Sequence, residues 1–186
     1  MKNTILALLT IMFLVSCNSK TESPSANETT APTSAQPVGQ SGVKDDVSNP
    51  NIVQTAASSE QHTTLVTAVK AAGLVDALSN AGPFTVFAPT NEAFDKLPKG
   101  TVDNLLNPEN KSQLSEILEY HTYVGVLREN LLTDGREFEQ VSAHKIKISH
   151  RGDKIFVNDV AEIIASIPTS NGMIHVIDAV LLPPVK

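Results

Sequence analysis

The stretch that decides the fold is Phe84-Thr85-Val86-Phe87-Ala88-Pro89-Thr90-Asn91-Glu92-Ala93-Phe94. Phe84 to Ala88 is a compact β-type run, closed by Pro89. Thr90 then stands where a helix N-cap belongs, and Glu92 suits the positive end of the helix dipole. The pattern predicts a strand followed by a short helix through Leu97.

Upstream of this junction the chain reads as helix. Leu65, Val66, Val69 and Ala72 recur on one helical face, with Gly73 as the stop. Leu74, Ala77 and Leu78 continue into a second short helix ended by Ala81-Gly82-Pro83. Downstream, Val102 to Leu106 reads as another helical turn. Asn110-Lys111-Ser112-Gln113 resembles a capping box opening a helix with Leu114, Ile117, Leu118 and His121 on one face. Beyond that the pattern changes period. Lys145-Ile146-Lys147-Ile148 alternates, Arg151-Gly152-Asp153 makes a turn, and Lys154-Ile155-Phe156-Val157 returns, which predicts a hairpin. Asp159 to Ile167 is β-branched and apolar until Pro168. After the Asn171-Gly172 turn, Met173 to Leu182 reads as a long apolar strand ended by Pro183-Pro184. Helices first and strands later predict an α+β fold with an antiparallel sheet or sandwich.

Composition excludes several function classes. The chain has 186 residues, one Cys, no Trp and a net charge of −6. One Cys permits neither an internal disulfide framework nor a Cys-rich zinc site. The negative charge argues against nucleic acid, whose binders need a basic patch. Aromatic content of 4% disfavours stacking platforms for bases or sugars. His62, His121, His144, His150 and His175 include no pair at the i, i+4 spacing of a helical metal site, so no metal and no other cofactor is expected. Neither a P-loop, a dinucleotide fingerprint nor a Gly-x-Ser-x-Gly elbow is present, and an enzyme is not expected.

The N-terminus reads as an address. Lys2 precedes the apolar run Ile5 to Val15. Such a run reaches about 16 Å as helix, roughly half a bilayer core, so it reads as a signal peptide over residues 1–16. Leu14-Val15-Ser16-Cys17 resembles the lipobox of bacterial lipoproteins, which implies a lipid on Cys17. Residues 17–46 then form a Ser/Thr/Pro-rich tether with Val38 and Val43 as its larger apolar residues. Such a segment cannot bury enough surface to offset ordering, and as a flexible chain spans roughly 25–30 Å. The folded domain is expected over residues 47–186.

Three segments of that domain carry a family resemblance. Phe84 to Phe94 resembles the first signature of the fasciclin (FAS1) domain. Asn171-Gly172-Met173-Ile174-His175-Val176-Ile177-Asp178-Ala179-Val180-Leu181-Leu182-Pro183 resembles the second, and Tyr120-His121 matches the Tyr-His pair between them. The resemblance implies a wedge-shaped β-sandwich with helices packed along it, and adhesion or matrix-type interaction outside the cytoplasm. It marks Phe84, Thr85, Phe87, Ala88, Pro89, Thr90, Phe94, Tyr120, His121, Asn171, Gly172, His175, Ile177 and Asp178 as motif residues.

The residues themselves temper that reading. His121 completes the apolar stripe of its helix, so it is expected in the core, where its effect on adhesion would be indirect. His175 and Asp178, three apart on a strand, point to opposite faces and cannot form an acid–base dyad. Asp178, amid Ile174, Val176, Val180 and Leu182, is expected to staple backbone amides or a hydroxyl. Arg151-Gly152-Asp153 is a candidate exposed contact, although a tight turn favours these residues for local reasons.

Two functions from different classes follow. The first is a lipid-anchored domain acting in cell adhesion or surface and envelope protein interaction. The alternative is a carrier of a hydrophobic small molecule such as a carotenoid or lipid, which needs an open apolar cleft. The expected partners are a membrane, through the lipid, and a protein or surface-matrix partner whose identity the sequence does not give; nor does it give the oligomeric state. The expected location is the cell envelope, at the outer membrane or cell surface, with the periplasmic face as the alternative.

Overall fold

Asn51 opens the first helix with a reciprocal capping box: its side chain accepts from the Gln54 N–H, and the Gln54 side chain accepts from the Asn51 N–H. The structure is a computed structural model and describes residues 49–184; the expected signal peptide, Cys17 and tether lie outside the described residues. Among the described residues the helices are α1 (Ile52–Ala57), α2 (Thr63–Ala72), α3 (Val75–Ser79), α4 (Asn91–Asp95), α5 (Thr101–Leu106) and α6 (Lys111–Tyr120). The strands are β1 (Phe84–Pro89), β2 (Thr122–Val124), β3 (Glu137–Glu139), β4 (Lys145–Arg151), β5 (Lys154–Val157), β6 (Ala161–Thr169) and β7 (Gly172–Ile177). α2 stops where expected, at Gly73 in the left-handed region (φ 75°). Thr90 caps α4 by accepting from the Ala93 N–H at 3.3 Å.

The strands form one seven-stranded sheet in the order β2-β1-β7-β6-β5-β4-β3. The architecture is α+β, and the sheet is mixed. Neighbours are antiparallel except β1 and β7, which run parallel from Phe84 beside Gly172 to Pro89 beside Ile177. β6 is shared. Its start pairs with β5, the rest pairs with β7, and the register shifts between Ile163 and Ala165. The Val141 N–H donates to the Thr122 carbonyl at 2.9 Å, so the segment after β3 meets β2 and the two ends of the sheet approach each other.

The central pair β1/β7 is buried on both faces, which is why its sequence reads as a continuous apolar run without alternation. One face carries Val86, Ala88, Ile174 and Val176 against Leu65, Val69, Leu78, Leu114 and Leu118 of the helices. The opposite face turns Phe87 and Ile177 into a second core with Tyr120, Leu132, Ile146 and Val157. Each such fully buried side chain contributes roughly 1.5–3 kcal/mol relative to exposure.

Four local expectations are corrected. The capping box at Asn110 is absent: Asn110 closes the short helical turn Pro108–Asn110, and its φ −101°, ψ 11° are not the extended backbone that a cap needs. β6 runs through Pro168 to Thr169; β5 does not reach this far, so the missing proline N–H breaks no ladder on that side. β7 ends at Ile177 rather than near Leu182, and Asp178 therefore lies beyond the strand instead of on an apolar pleat. α1, β2 and β3 were not expected from the sequence pattern.

Candidate functional site

The first signature stretch is mostly interior. Thr85 is fully buried; its hydroxyl donates to the Gly125 carbonyl at 2.7 Å and accepts from the Leu127 N–H at 2.9 Å. It thereby straps the loop after β2 to the central strands. Phe84 and Phe94 are half-buried against the helix-side core, while Ala88 and Pro89 are buried at the end of β1. Phe87 stacks on the His175 ring, with centroids 5.4 Å apart.

His175 does a second strapping job. Its Nε2 meets the Leu127 carbonyl at 2.7 Å and its Nδ1 meets the Ser166 hydroxyl at 2.8 Å. A carbonyl only accepts, so Nε2 carries the proton and Nδ1 accepts from Ser166. Burial lowers the His175 pKa, against the Leu127 hydrogen bond and Glu129, which raise it. The pairing has the outline of a nucleophile and base, but the imidazole is completely buried, and none of the clefts described below includes Ser166.

Tyr120 and His121 lie at the end of α6, both 2% exposed. The Tyr120 hydroxyl donates to the Lys145 carbonyl at 3.1 Å and accepts from the Asn158 amide at 2.8 Å. His121 Nδ1 sits 2.7 Å from the Ile117 carbonyl, while Nε2 accepts from the Leu181 N–H at 3.0 Å. These partners fix the neutral tautomer with the proton on Nδ1. Burial pushes the His121 pKa down to about 4, against the Ile117 hydrogen bond, which raises it. Neither side chain is presented to a partner.

Asn171 is the joint of the second signature. Its Oδ1 accepts from the Ile52 N–H at 2.9 Å, and its amide donates to the Leu78 and Asn80 carbonyls, each at 2.8 Å. One side chain thus joins α1, the end of α3 and the turn before β7. Gly172 follows because the backbones touch: a Cβ there would lie 1.8 Å from the Phe84 carbonyl oxygen.

Asp178 leaves the strand to brace the surface. Its Oδ1 accepts from the Glu162 N–H at 2.7 Å, and its Oδ2 pairs with Lys96 at 3.1 Å. The carboxylate is therefore bonded to a backbone amide at the base of the β6 irregularity, with its side chain 37% exposed. Arg151-Gly152-Asp153 is an exposed turn between β4 and β5, but its arginine is engaged. The guanidinium lies 4.5 Å above the Phe156 ring and reaches Asp159 Oδ1 at 3.3 Å.

The surface feature that these braces build is a cleft of about 430 Å³ lined by Glu60, Gln61, Thr90, Asn91, Glu92, Lys96, Ile164 and Asp178. Both signature stretches reach it, through Thr90 and Asp178, and the Thr90 N–H donates to the Ile177 carbonyl at 3.1 Å. Asn91 pins one wall: its Oδ1 accepts from the Thr64 N–H and the Thr63 hydroxyl, and its amide donates to the Glu60 carbonyl at 2.8 Å. Glu92 was marked only as a helix-start residue of the first signature stretch, and Glu60, Gln61, Lys96 and Ile164 had no distinguishing signal in the sequence. A second cleft, about 230 Å³, lies beside Val160, Val180 and Leu182. A cavity of about 30 Å³, lined by apolar side chains and by Lys70, lies under α1, α2 and α3. Among the described residues no group of three or more His, Cys, Asp or Glu is placed to hold a metal, and no helix is long and apolar enough to cross a membrane.

Comparison with known proteins places this geometry. The Fasciclin domain family model matches residues 60–183. The chain is 50% identical over 133 residues to Protein sll1483 of Synechocystis sp., covering 72% of this chain and 73% of that protein. It is 37% identical over 120 residues to transforming growth factor-beta-induced protein ig-h3 of Sus scrofa, covering 64% of this chain but 17% of that much longer protein. The fold matches a FAS1 domain pair from the insect cell adhesion molecule Fasciclin I, with a TM-score of 0.65 at 17% identity, over 72% of this chain and 51% of that one. Both signature stretches, the Tyr120-His121 pair and the Asn171 joint fall inside the matched span, and the chain belongs to the Fasciclin domain family.

Proposed function

We propose that this protein is a non-enzymatic, lipid-anchored surface protein whose fasciclin domain mediates adhesion or protein interaction in the cell envelope. The observation that carries the reading is the family match over residues 60–183. His121, His175, Thr85, Tyr120 and Asn171 are committed to internal hydrogen bonds, which suits a rigid binding module better than a reaction centre. A lipid on Cys17 would supply the membrane attachment, and two or more acyl chains hold stably where one does not. The protein then stands at the outer membrane or cell surface, with the periplasmic face as the alternative, and meets a protein or surface-matrix partner.

Two measurements test this. Radiolabelled palmitate should enter the wild-type chain and not Cys17→Ala; equal labelling refutes the anchor. Proximity labelling from the domain on intact cells should mark a reproducible set of envelope or matrix proteins. Labelling indistinguishable from that of an unrelated lipoprotein refutes the interaction role.

A carrier of a carotenoid or lipid is the second reading, and the cavity under α1 to α3 bears on it. Its lining is apolar apart from Lys70, as a carrier requires, but about 30 Å³ is far below the roughly 300–1,000 Å³ of ligand pockets. Carriage therefore requires this cavity to widen around the ligand. Protein purified from its native host with a visible absorbance band or extractable lipid would support carriage; colourless, lipid-free protein would exclude it.

A further inference from the structure

We infer that the cleft between α4, the Glu60–His62 turn and the β6 irregularity binds an ammonium group carried on an aliphatic stem. Three features of the cleft lead there, independently of the adhesion reading. The first is size and rigidity. At about 430 Å³ the cleft falls within the range of small-ligand sites, and its walls are fixed in advance by Asn91, the Thr90 cap and the two-ended Asp178 brace.

The second feature is uncompensated charge. Glu60, Glu92 and Asp178 all line the cleft, and Lys96 is its one lining cation. Lys96 is already spent, with its ammonium 3.1 Å from Asp178 Oδ2 and 2.8 Å from the Asp178 carbonyl. Among the described residues Glu60 and Glu92 have no ion-pair partner. An anion entering the cleft would face two free carboxylates, whereas a cation would be attracted by them and by the net negative charge of the whole chain.

The third feature is Ile164. The register shift between Ile163 and Ala165 re-aims this side chain into the cleft and leaves it 58% exposed. An isoleucine in an otherwise polar wall offers a surface for methylene groups but nothing for a hydrated metal ion. The lining has no aromatic ring on which a sugar could stack. An aliphatic stem ending in an ammonium meets both demands, since lysine-like stems lie along apolar surface while the charge stays in polar surroundings. A lysine of a partner protein and a free diamine share this chemistry.

The test is an NMR titration of the full chain in detergent, following the Ile164 methyl signals. The probes are cadaverine and the blocked peptide acetyl-Gly-Gly-Lys-Gly-Gly-amide. Saturable shifts are expected, weakening as salt rises. The E60Q/E92Q double variant should weaken binding about fivefold, the scale of two exposed ion pairs, without lowering the melting temperature appreciably. A response to cadaverine alone assigns a free diamine; a response to the peptide assigns a partner's lysine. The inference is overturned if neither probe moves Ile164, if E60Q/E92Q titrates like wild type, or if uncharged acetyl-norleucine amide binds as well as the peptide. Intact cadaverine binding in a protein that labels no envelope partner would sink the adhesion reading and leave this one standing.

Discussion

Acid should loosen this domain through His121, and the size of the effect follows from its surroundings. In the folded chain the imidazole is 2% exposed, donates to the Ile117 carbonyl and accepts from the Leu181 N–H. A proton added at Nε2 would point at another N–H inside the core. Burial accordingly holds the pKa down, from an ordinary 6.5 to about 4. The folded state therefore favours the neutral ring, and the unfolded chain takes up the proton first. The contribution to stability is complete above pH 6.5 and falls as the pH drops from there toward 4. At 1.36 kcal/mol per pKa unit, the loss between those limits is about 3 kcal/mol. For a domain of this size that lowers the melting temperature by roughly 10 °C. The assay is thermal unfolding followed by circular dichroism from pH 7 to pH 4, for wild type and His121→Gln. The variant should be less stable at pH 7, because glutamine cannot reproduce both hydrogen bonds, yet lose less on acidification. His175 and His62, whose pKa values burial also lowers, leave a residual acid slope in both proteins. Parallel losses in wild type and variant would refute the reasoning, since His121 would then not be the group that titrates.

The other predictions concern the joints of the fold. Gly172→Ala should cost about 4 kcal/mol or more, or abolish folding, because the new Cβ collides with the Phe84 carbonyl; soluble yield and urea unfolding report it, and a mild loss would disprove the close approach. Asn171→Ala should cost roughly 3 kcal/mol in urea unfolding, as the Ile52 N–H and the Leu78 and Asn80 carbonyls lose their partner. Asp178→Asn should cost under about 1 kcal/mol by the same assay, since an amide oxygen still accepts from the Glu162 N–H and only an exposed ion pair is lost. Asp178→Ala should cost about 1–2 kcal/mol; equal costs for the two variants would mean that the backbone hydrogen bond contributes nothing.

What could be read from the sequence divides along physical lines. The strand-to-helix junction at Phe84 to Phe94 was legible because both of its signals are local: a β-type run, then a threonine that caps the next turn. The β4–β5 hairpin was legible for the same reason, through alternation and a turn between. Parallel pairing of β1 with β7 was not legible, because strands buried on both faces lose the alternation that assigns direction and side. At Asn110 the local capping pattern was overridden by the turn Pro108–Asn110, which holds the Asn110 backbone out of the extended conformation of a cap. The motif residues themselves were visible, but their roles were not. The apolar stripe of its helix placed His121 in the core, but no sequence signal pointed to its partner at Leu181; Thr85, Asn171 and His175 likewise bond main chain that is distant in sequence.

The surface cleft was the least legible part, and Ile164 shows why. Side chains alternate strictly along a strand, so one inserted residue reverses the face of every residue after it. The register shift between Ile163 and Ala165 is such an insertion, and no residue type announces it. It is held in place from outside β6, by Asp178 bonding the Glu162 N–H, and Asp178 in turn depends on Lys96 of the segment after α4. The aim of one exposed isoleucine is thus set by residues up to 82 positions apart in the chain. Both signature stretches contribute to that arrangement, which links their interior role to the polar cleft that both line. The ladder between β1 and β7 pairs Pro89 with Ile177, and so brings Thr90 and Asp178, the residue that follows each strand, to the same opening.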